Sequence, residues 1–260
     1  MKKARIDAVL AERGLFPSRS AAAGAVRAGA VRVGHDGPVA LRPSQLVEPE
    51  AALIVEKGPR FVSRGGIKLD NALESLGIDV AGLDCLDVGA STGGFVDCLL
   101  QRGAAGVVAV DVAYGQLDLR LREDPRVTVI ERLNARELSA PDLPFAPALA
   151  TIDVSFISLV KLLPAVGRCL APGGQVLAMV KPQFELGRER VGKGVVRDPA
   201  DRREAVLGVA EAARDLGLVI LGFASSGLPG PKGNRETFVW CGAGGAGIDD
   251  LEAAVGEVDV

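Results

Sequence analysis

The chain has 260 residues, of which 48% are hydrophobic and 4% aromatic, and its formal net charge is −3. Such a length fits one or two domains with a sizeable core, and the apolar, Gly-rich makeup excludes a disordered chain. No run of about 18 apolar residues marks a membrane span, and no apolar stretch follows Lys2 and Lys3, so neither a membrane protein nor a secretory leader is expected.

The first 56 residues read as a small unit of their own. Ile6, Val9 and Leu10 fall at helical spacing, with Gly14 able to end that helix. Ser18 precedes a second helical run, Arg19 to Arg27, that stops near Gly29. Short β-like pieces follow at Val31–Val33 and Ala52–Val55, around a Gly34-His-Asp-Gly37 turn that holds the single histidine, His35, expected in a solvated loop. Residues 57–62 read as a linker, because Gly58 and Pro59 interrupt regular structure. From Met1 to Asp70 there are 12 Lys/Arg against 7 Asp/Glu, so the remainder of the chain is acidic. A basic end on an acidic body is a footprint for an anionic polymer, although the same asymmetry also serves solubility.

Beyond the linker, residues 63–260, apolar strand candidates alternate with helical stretches. The strands are Cys85–Val88, Val107–Val112, Val127–Glu131, Ala148–Asp153, Val176–Val180, Val219–Phe223 and Thr237–Cys241. Helix-length segments lie between them at Phe95–Arg102, Ser158–Leu170 and Pro199–Leu216. This alternation predicts an α/β fold with a seven-stranded, mostly parallel sheet covered on both faces. The Gly- and Pro-rich connection Ser225–Arg235 leaves no room for a helix, so the last strand is expected to be antiparallel. Cys85, Cys98, Cys169 and Cys241 are scattered, which argues against a disulfide framework or a zinc site; no metal is expected.

The first strand of this sheet runs into Asp87-Val-Gly89-Ala90-Ser91-Thr92-Gly93-Gly94-Phe95. A Gly-rich first turn lets backbone approach a ligand beyond the strand end. The nicotinamide fingerprint requires glycine where Ser91 stands. The acidic-x-G-x-[GS]-x-G pattern instead looks like the first motif of S-adenosylmethionine methyltransferases, and these nine residues other than Val88 are the candidate cofactor site. Asp111 ends the second strand 22 residues after Gly89, where a carboxylate can bond ribose hydroxyls. Asn134, after the third strand, is placed to contact adenine, or is a plain polar loop residue. The turn taken alone also suits a ligand-free strand–helix junction.

With no histidine in the body, candidates for removing a hydroxyl proton are carboxylates and lysines. Asp153 and Lys181 end the fourth and fifth strands, Lys68 lies just before the sheet, and Glu236 opens the last strand. A second cation and desolvation would make a lysine a better base, so Lys68 beside Lys181 is one arrangement, with Asp153 and Glu236 fixing orientation. Each of the four, taken singly, is also an ordinary ion-pair partner.

The whole chain resembles the TlyA (hemolysin A) family of ribosomal RNA 2′-O-methyltransferases. In the first 56 residues the resemblance rests on Arg5-Ile-Asp7, Gly14-Leu15, Ser18-Arg19 and Gly29-x-Val31-x-Val33, which are similar to an S4-type RNA-binding domain. In the body it rests on Ser63-Arg-Gly-Gly-x-Lys-Leu69, Gly89–Phe95, Asp111-Val-x-Tyr-Gly-Gln-Leu117, Asp153-x-Ser-Phe-Ile-Ser-Leu159, Lys181-Pro-Gln-Phe-Glu185 and Pro229-Gly-Pro-x-Gly-Asn234, similar to an FtsJ-like methyltransferase domain. The resemblance implies a Rossmann-like class I methyltransferase fold with a small N-terminal α+β domain. It also implies a Lys68, Asp153, Lys181, Glu236 tetrad, with Lys181 accepting the proton or polarising the hydroxyl, Asp153 holding Lys181, and Lys68 and Glu236 positioning the ribose. The implied substrate is a cytidine 2′-hydroxyl in large-subunit, and in some members small-subunit, ribosomal RNA. Longer members tend to act on both subunits; the tail here, Gly242–Gly247 and a short helical run from Ile248, is intermediate.

Arg5, Arg19, Arg27, Arg32, Arg60 and Arg64 are the candidate RNA contacts, since the planar guanidinium pairs bidentately with phosphate. The expected partners are ribosomal RNA, the subunits or the assembled ribosome, in the cytoplasm. The charged segment Gly187–Gly194 reads either as a loop that closes over RNA or as a solvated one, and Phe156 and Phe184 either stack a flipped nucleotide or belong to the core. Two other functions are compatible with the motifs: a ribosome-binding protein that keeps the cofactor pocket without catalysis, and a membrane-active cytolysin, as the older family name implies.

Overall fold

Runs of Val, Leu, Ile and Ala fill both faces of the central strands because helices cover both sides of the sheet. The computed structural model describes residues 3–27, 30–34, 37–40, 42–55, 60–192, 194–230 and 232–258; His35, Gly29, Lys193 and linker residues 57–59 lie outside the described residues, as does the side chain of Arg27. The chain divides into two units, Met1–Arg60 and Phe61–Val260.

In the first unit, helices Ile6–Glu12 and Arg19–Arg27 pack over two small antiparallel pairs, Val31–Val33 with Leu53–Val55 and Ala4–Arg5 with Leu46–Val47. The two-residue pair was not foreseen, because such a short strand leaves no periodicity to read. Ile6, Val9, Leu10, Val26, Val31 and Val47 close one core.

The second unit carries the seven-stranded sheet. Its strands are β1 (Asp84–Val88), β2 (Gly106–Asp111), β3 (Val127–Glu131), β4 (Leu149–Ile152), β5 (Gln175–Val180), β6 (Val219–Ser225) and β7 (Thr237–Gly242). The spatial order is β6-β7-β5-β4-β1-β2-β3. Strands β5, β4, β1, β2 and β3 pair in parallel, whereas β7 is antiparallel to both β5 and β6, the direction expected of the last strand. Leu86, Val88, Val110, Ile152 and Val180 face one core with helix Pro199–Asp215, and Cys85, Val107, Leu177 and Phe238 face the other with helices Arg64–Leu76 and Gly94–Gln101. All four cysteines are buried, and burial pushes the Cys85 and Cys241 thiols up to about 12.

Two expectations change. The single helix over Ser158–Leu170 is instead a 3-10 turn, Leu159–Lys161, followed by a short helix, Leu163–Gly167. Pro164 has no N–H to give and suits only the first turn of a helix, so the run breaks before it. Phe61 and Val62, read as linker, are integral to the second unit: Phe61 is 2% exposed in its core, and the Val62 N–H donates to Asp97 Oδ2 at 2.8 Å.

Candidate active site

Beyond the carboxyl ends of β1, β4 and β5 lie two adjoining cavities, about 740 and 520 Å³. Both are lined by Gly89, Ser91, Asp153, Ser155 and Phe156. The switch in strand order, where β1 meets β2 on one side and β4 on the other, opens this crevice.

The β1 turn forms one wall. Gly89 has φ +87°, and a Cβ there would lie 2.4 Å from the Asp153 carbonyl oxygen. Only glycine fits both the left-handed backbone and the close approach. Gly89→Ala is expected to cost about 2 kcal/mol or more, lowering Tm by roughly 4–8 °C in a thermal melt; an unchanged Tm would mean the β4 loop can yield. Gly93 faces away from the cavities, against Leu117 and Leu121, whereas Phe95 lines the larger cavity with its ring packed on Phe238 at 5.9 Å. Ser91, at φ +48°, donates its N–H to Asp111 Oδ2 at 2.7 Å, while Asp111 Oδ1 accepts from the Ala113 N–H at 2.7 Å. Asp111 and Asn134 line the smaller cavity with Gln116, whose Oε1 accepts from the Ser91 hydroxyl at 3.3 Å. Gln116 was overlooked as a pocket residue although it lies in the Asp111–Leu117 motif.

Asp87 lies beneath the turn, 1% exposed. Its Oδ1 accepts from Thr151 Oγ1 at 2.8 Å, its buried Oδ2 accepts no aligned hydrogen bond, and the residue lines the larger cavity. Burial pushes the carboxyl up to about 8; the Thr151 bond and the Val96 backbone N–H oppose the rise, and the charges of Asp153 and Asp111 add to it. An orphaned oxygen on a buried carboxylate that lines a cavity fits a cationic ligand group.

The four charged candidates arrive as two ion pairs on the larger cavity. Lys68, on helix Arg64–Leu76, pairs with Glu236, just before β7; the two are 7% and 3% exposed. Lys181, directly after β5, lies with Nζ 2.5 Å from Asp153 Oδ1 and donates to Ser155 Oγ at 3.2 Å. Asp153 Oδ1 accepts no aligned hydrogen bond, so its contact with Lys181 is an ion pair at close range rather than a directed bond. Each lysine is therefore matched to a carboxylate, a more specific arrangement than four residues converging at random.

Other side chains complete the wall. Gln183 lines it with a buried, unpartnered Oε1, and Asn234 fixes the neighbouring segment by accepting from Val196 N–H at 2.9 Å and donating to Gly194 O at 2.8 Å. Both lie in motifs quoted above, but nothing in their spacing points at a cavity. The segment read as a free loop contains a short helix, Arg188–Val191, and Arg190 pairs with Asp201 and with Glu204 at 2.5 Å. Phe156 is 92% exposed, with φ +67° and its ring 5.2 Å from Phe184, so it is not a core residue.

Of the arginines, Arg5 and Arg19 come together on Asp7. Asp7 is 4% exposed and takes two bonds from Arg5, at 3.1 and 2.7 Å, and one from Arg19 at 3.4 Å. The Arg5 bond holds the Asp7 carboxyl below its ordinary range. Arg32 reaches Gly37 O at 3.4 Å on the hairpin strand. Arg64 belongs to the second unit, where it lines the larger cavity and donates to Pro229 O at 2.8 Å; Arg60 ends the first unit.

Family models match in the same order: an S4 domain over residues 4–53 and an FtsJ-like methyltransferase over 61–243. The chain is 49% identical over 242 residues to the 16S/23S rRNA (cytidine-2'-O)-methyltransferase TlyA of Mycobacterium tuberculosis, covering 92% of this chain and 90% of the relative. The chain belongs to the TlyA family of FtsJ-like methyltransferases. Another TlyA-family relative, Hemolysin A of Brachyspira hyodysenteriae, is 36% identical, covering 89% of this chain and 97% of that one. A solved Streptococcus thermophilus protein named as a hemolysin superposes with a TM-score of 0.74 at 38% identity, over 99% of this chain and 96% of that one. Among the described residues of this TlyA-family chain, no helix is long and apolar enough to cross a membrane, and no group of three or more His, Cys, Asp or Glu side chains could hold a metal ion.

Proposed function

We propose that this protein transfers a methyl group from S-adenosylmethionine to a cytidine 2′-hydroxyl of ribosomal RNA. The observation that carries the reading is the Lys181–Asp153 pair where the two cavities adjoin, Asp153 lining both and Lys181 the larger. The residue assignments and the choice of cytidine rest further on the likeness to the M. tuberculosis relative. The smaller cavity takes the nucleoside part of the cofactor, with Asp111 toward the ribose and Asn134 toward the adenine. The backbone of residues 89–94 passes along the methionine part, and Asp87 Oδ2 receives its ammonium group. When bound, S-adenosylmethionine supplies an electrophilic methyl group on a cationic sulfur.

The chain's own residues do the rest. Lys68 and Glu236 hold the ribose of the target nucleotide in the larger cavity, Lys181 hydrogen-bonds its 2′-oxygen, and the Lys181–Asp153 pair takes up the hydroxyl proton. Phe156 offers an exposed ring for stacking the displaced base. Acting on ribosomal subunits or the assembled ribosome, the protein works in the cytoplasm.

The test is transfer of tritiated methyl from S-adenosylmethionine to unmethylated subunits and to 70S particles, followed by digestion to nucleosides. Label in 2′-O-methylcytidine is the expected result. RNA binding without label would leave the ribosome-binding reading in its place.

Arg5 and Arg19, braced by Asp7, make the phosphate contacts of the first unit. Arg19→Ala is expected to lower the slope of log K against log salt by about 0.7–0.9, the release of one phosphate's counterions. A filter-binding titration between about 50 and 200 mM salt measures it; an unchanged slope removes Arg19 from the RNA interface.

A further inference from the structure

Two of the quoted motifs run past the residues that chemistry requires. Asp153-x-Ser-Phe-Ile-Ser158-Leu159 continues beyond Asp153, and Lys181-Pro-Gln-Phe-Glu185 continues beyond Lys181. Their far ends meet. Glu185, closing the short helix Pro182–Glu185, accepts from the Ser158 hydroxyl at 2.6 Å through Oε2 and from the Leu159 N–H at 2.9 Å through Oε1. Ser158 in turn caps the 3-10 turn Leu159–Lys161, its Oγ accepting from the Val160 N–H at 3.2 Å.

The loops leaving β4 and β5 are thus tied at both ends. At the strand ends the tie is Lys181 to Asp153 and Ser155; further along both loops it is Glu185 to Ser158 and Leu159. Between the two ties the β4 loop holds Phe156 in the left-handed region, a conformation a non-glycine residue keeps only where its surroundings over-determine it. Glu185 does not line either cavity. It touches neither substrate nor cofactor space and acts only through the loops it joins.

We propose that Glu185 is a positioning residue: its two-armed bond across the β4 and β5 loops sets the register in which Lys181 meets Asp153. The proposal rests on the role given above to that pair. Displacement of a reacting group by about 1 Å costs on the order of 100-fold in rate, so loss of the brace falls on kcat. Binding of either substrate, carried by other walls, is spared.

The experiment is steady-state methyl transfer to ribosomal subunits by Glu185→Ala, Glu185→Gln and Ser158→Ala, with Lys181→Ala in parallel and circular dichroism to confirm folding. Glu185→Ala is expected to lose about 10- to 100-fold in kcat, with both KM values within about twofold. Glu185→Gln restores the rate to within about threefold, since an amide carbonyl accepts from Leu159 N–H and its NH₂ donates to the Ser158 hydroxyl. A purely structural role would lower Tm and leave kcat per folded molecule unchanged. If Glu185→Ala does not fold, Ser158→Ala, which removes one arm, carries the test: a kcat lower by about 3- to 10-fold supports the brace, and an unchanged kcat overturns it. A folded Glu185→Ala with wild-type kcat also overturns it, as does an equal loss in Glu185→Gln. If Lys181→Ala keeps its rate, the function given to the pair fails instead; if Lys181→Ala is silent while Glu185→Ala is fully active, only the brace fails.

Discussion

Lys181→Ala is expected to lower kcat for methyl transfer by about 10²–10⁴-fold, the contribution typical of a group that handles a proton in the transition state. The fold should survive the change. Lys181 leaves behind Asp153, whose side chain is 24% exposed, so solvent can compensate the lost partner. The same is not true of Lys68 or Glu236. Those two are almost wholly buried, and removing either strands a charge in the interior, a loss on the order of 3–5 kcal/mol. A dead Lys68→Ala would therefore report folding as readily as catalysis, whereas Lys181→Ala isolates chemistry. Single-turnover transfer, with cofactor affinity measured separately by calorimetry, is the appropriate readout. Unchanged affinity beside a collapsed rate is expected; a full rate would remove Lys181 from the reaction.

Asp87→Asn should move stability and cofactor affinity in opposite directions. The Asp87 carboxyl is pushed up to about 8 from 3.8 by its burial. The folded state therefore favours the protonated form. Its contribution to stability is complete below about 4 and is lost progressively as pH rises toward 8, at about 1.4 kcal/mol per pH unit. By neutral pH the accumulated cost is on the order of a few kcal/mol. An amide carries no such cost, so Asp87→Asn should melt higher than the parent at pH 7–8 in the absence of cofactor and lose that advantage near pH 4. Binding of a cationic ammonium needs the ionised carboxylate. The parent should therefore bind S-adenosylmethionine more tightly as pH climbs from 6 to 8, with release of a proton. Asp87→Asn should bind about 10- to 100-fold more weakly, the worth of one charge-assisted bond, and lose that pH dependence. Calorimetry in two buffers of different ionisation enthalpy measures both effects. Equal affinity in the two proteins, or a flat pH profile in the parent, would contradict the role of Asp87.

Much of this site could be read from residues alone because it sits where strands end. Val/Ile/Ala runs locate β1, β2, β4 and β5, and the residue that breaks each run lines a cavity: Gly89, Asp111, Asp153 and Lys181. What could not be read is pairing across distance. Lys68 and Glu236 are 168 positions apart, and only the antiparallel insertion of β7 beside β5 puts the start of that strand at the same edge as the ends of the others. Gln183 and Gln116 escaped notice because a lone neutral amide carries no periodic or charge signal. The helix expected over Ser158–Leu170 ignored what Pro164 does to a hydrogen-bond ladder. Phe61 and Val62 were grouped with the Gly and Pro before them, although Phe61 is a core side chain.

The placement of β7 has a consequence for the order in which the protein becomes an enzyme. Among the described residues strand β6 pairs with β7 alone, and β7 inserts between β6 and β5, so the edge of the sheet cannot close until the last strand is made. Glu236 stands at the threshold of that strand. On a growing chain Lys68, Asp153 and Lys181 are all present well before it, and throughout that time Lys68 lacks the carboxylate it pairs with. The pocket is finished by the same event that finishes the sheet, so a truncated or half-folded copy lacks the Lys68–Glu236 pair until its architecture is whole.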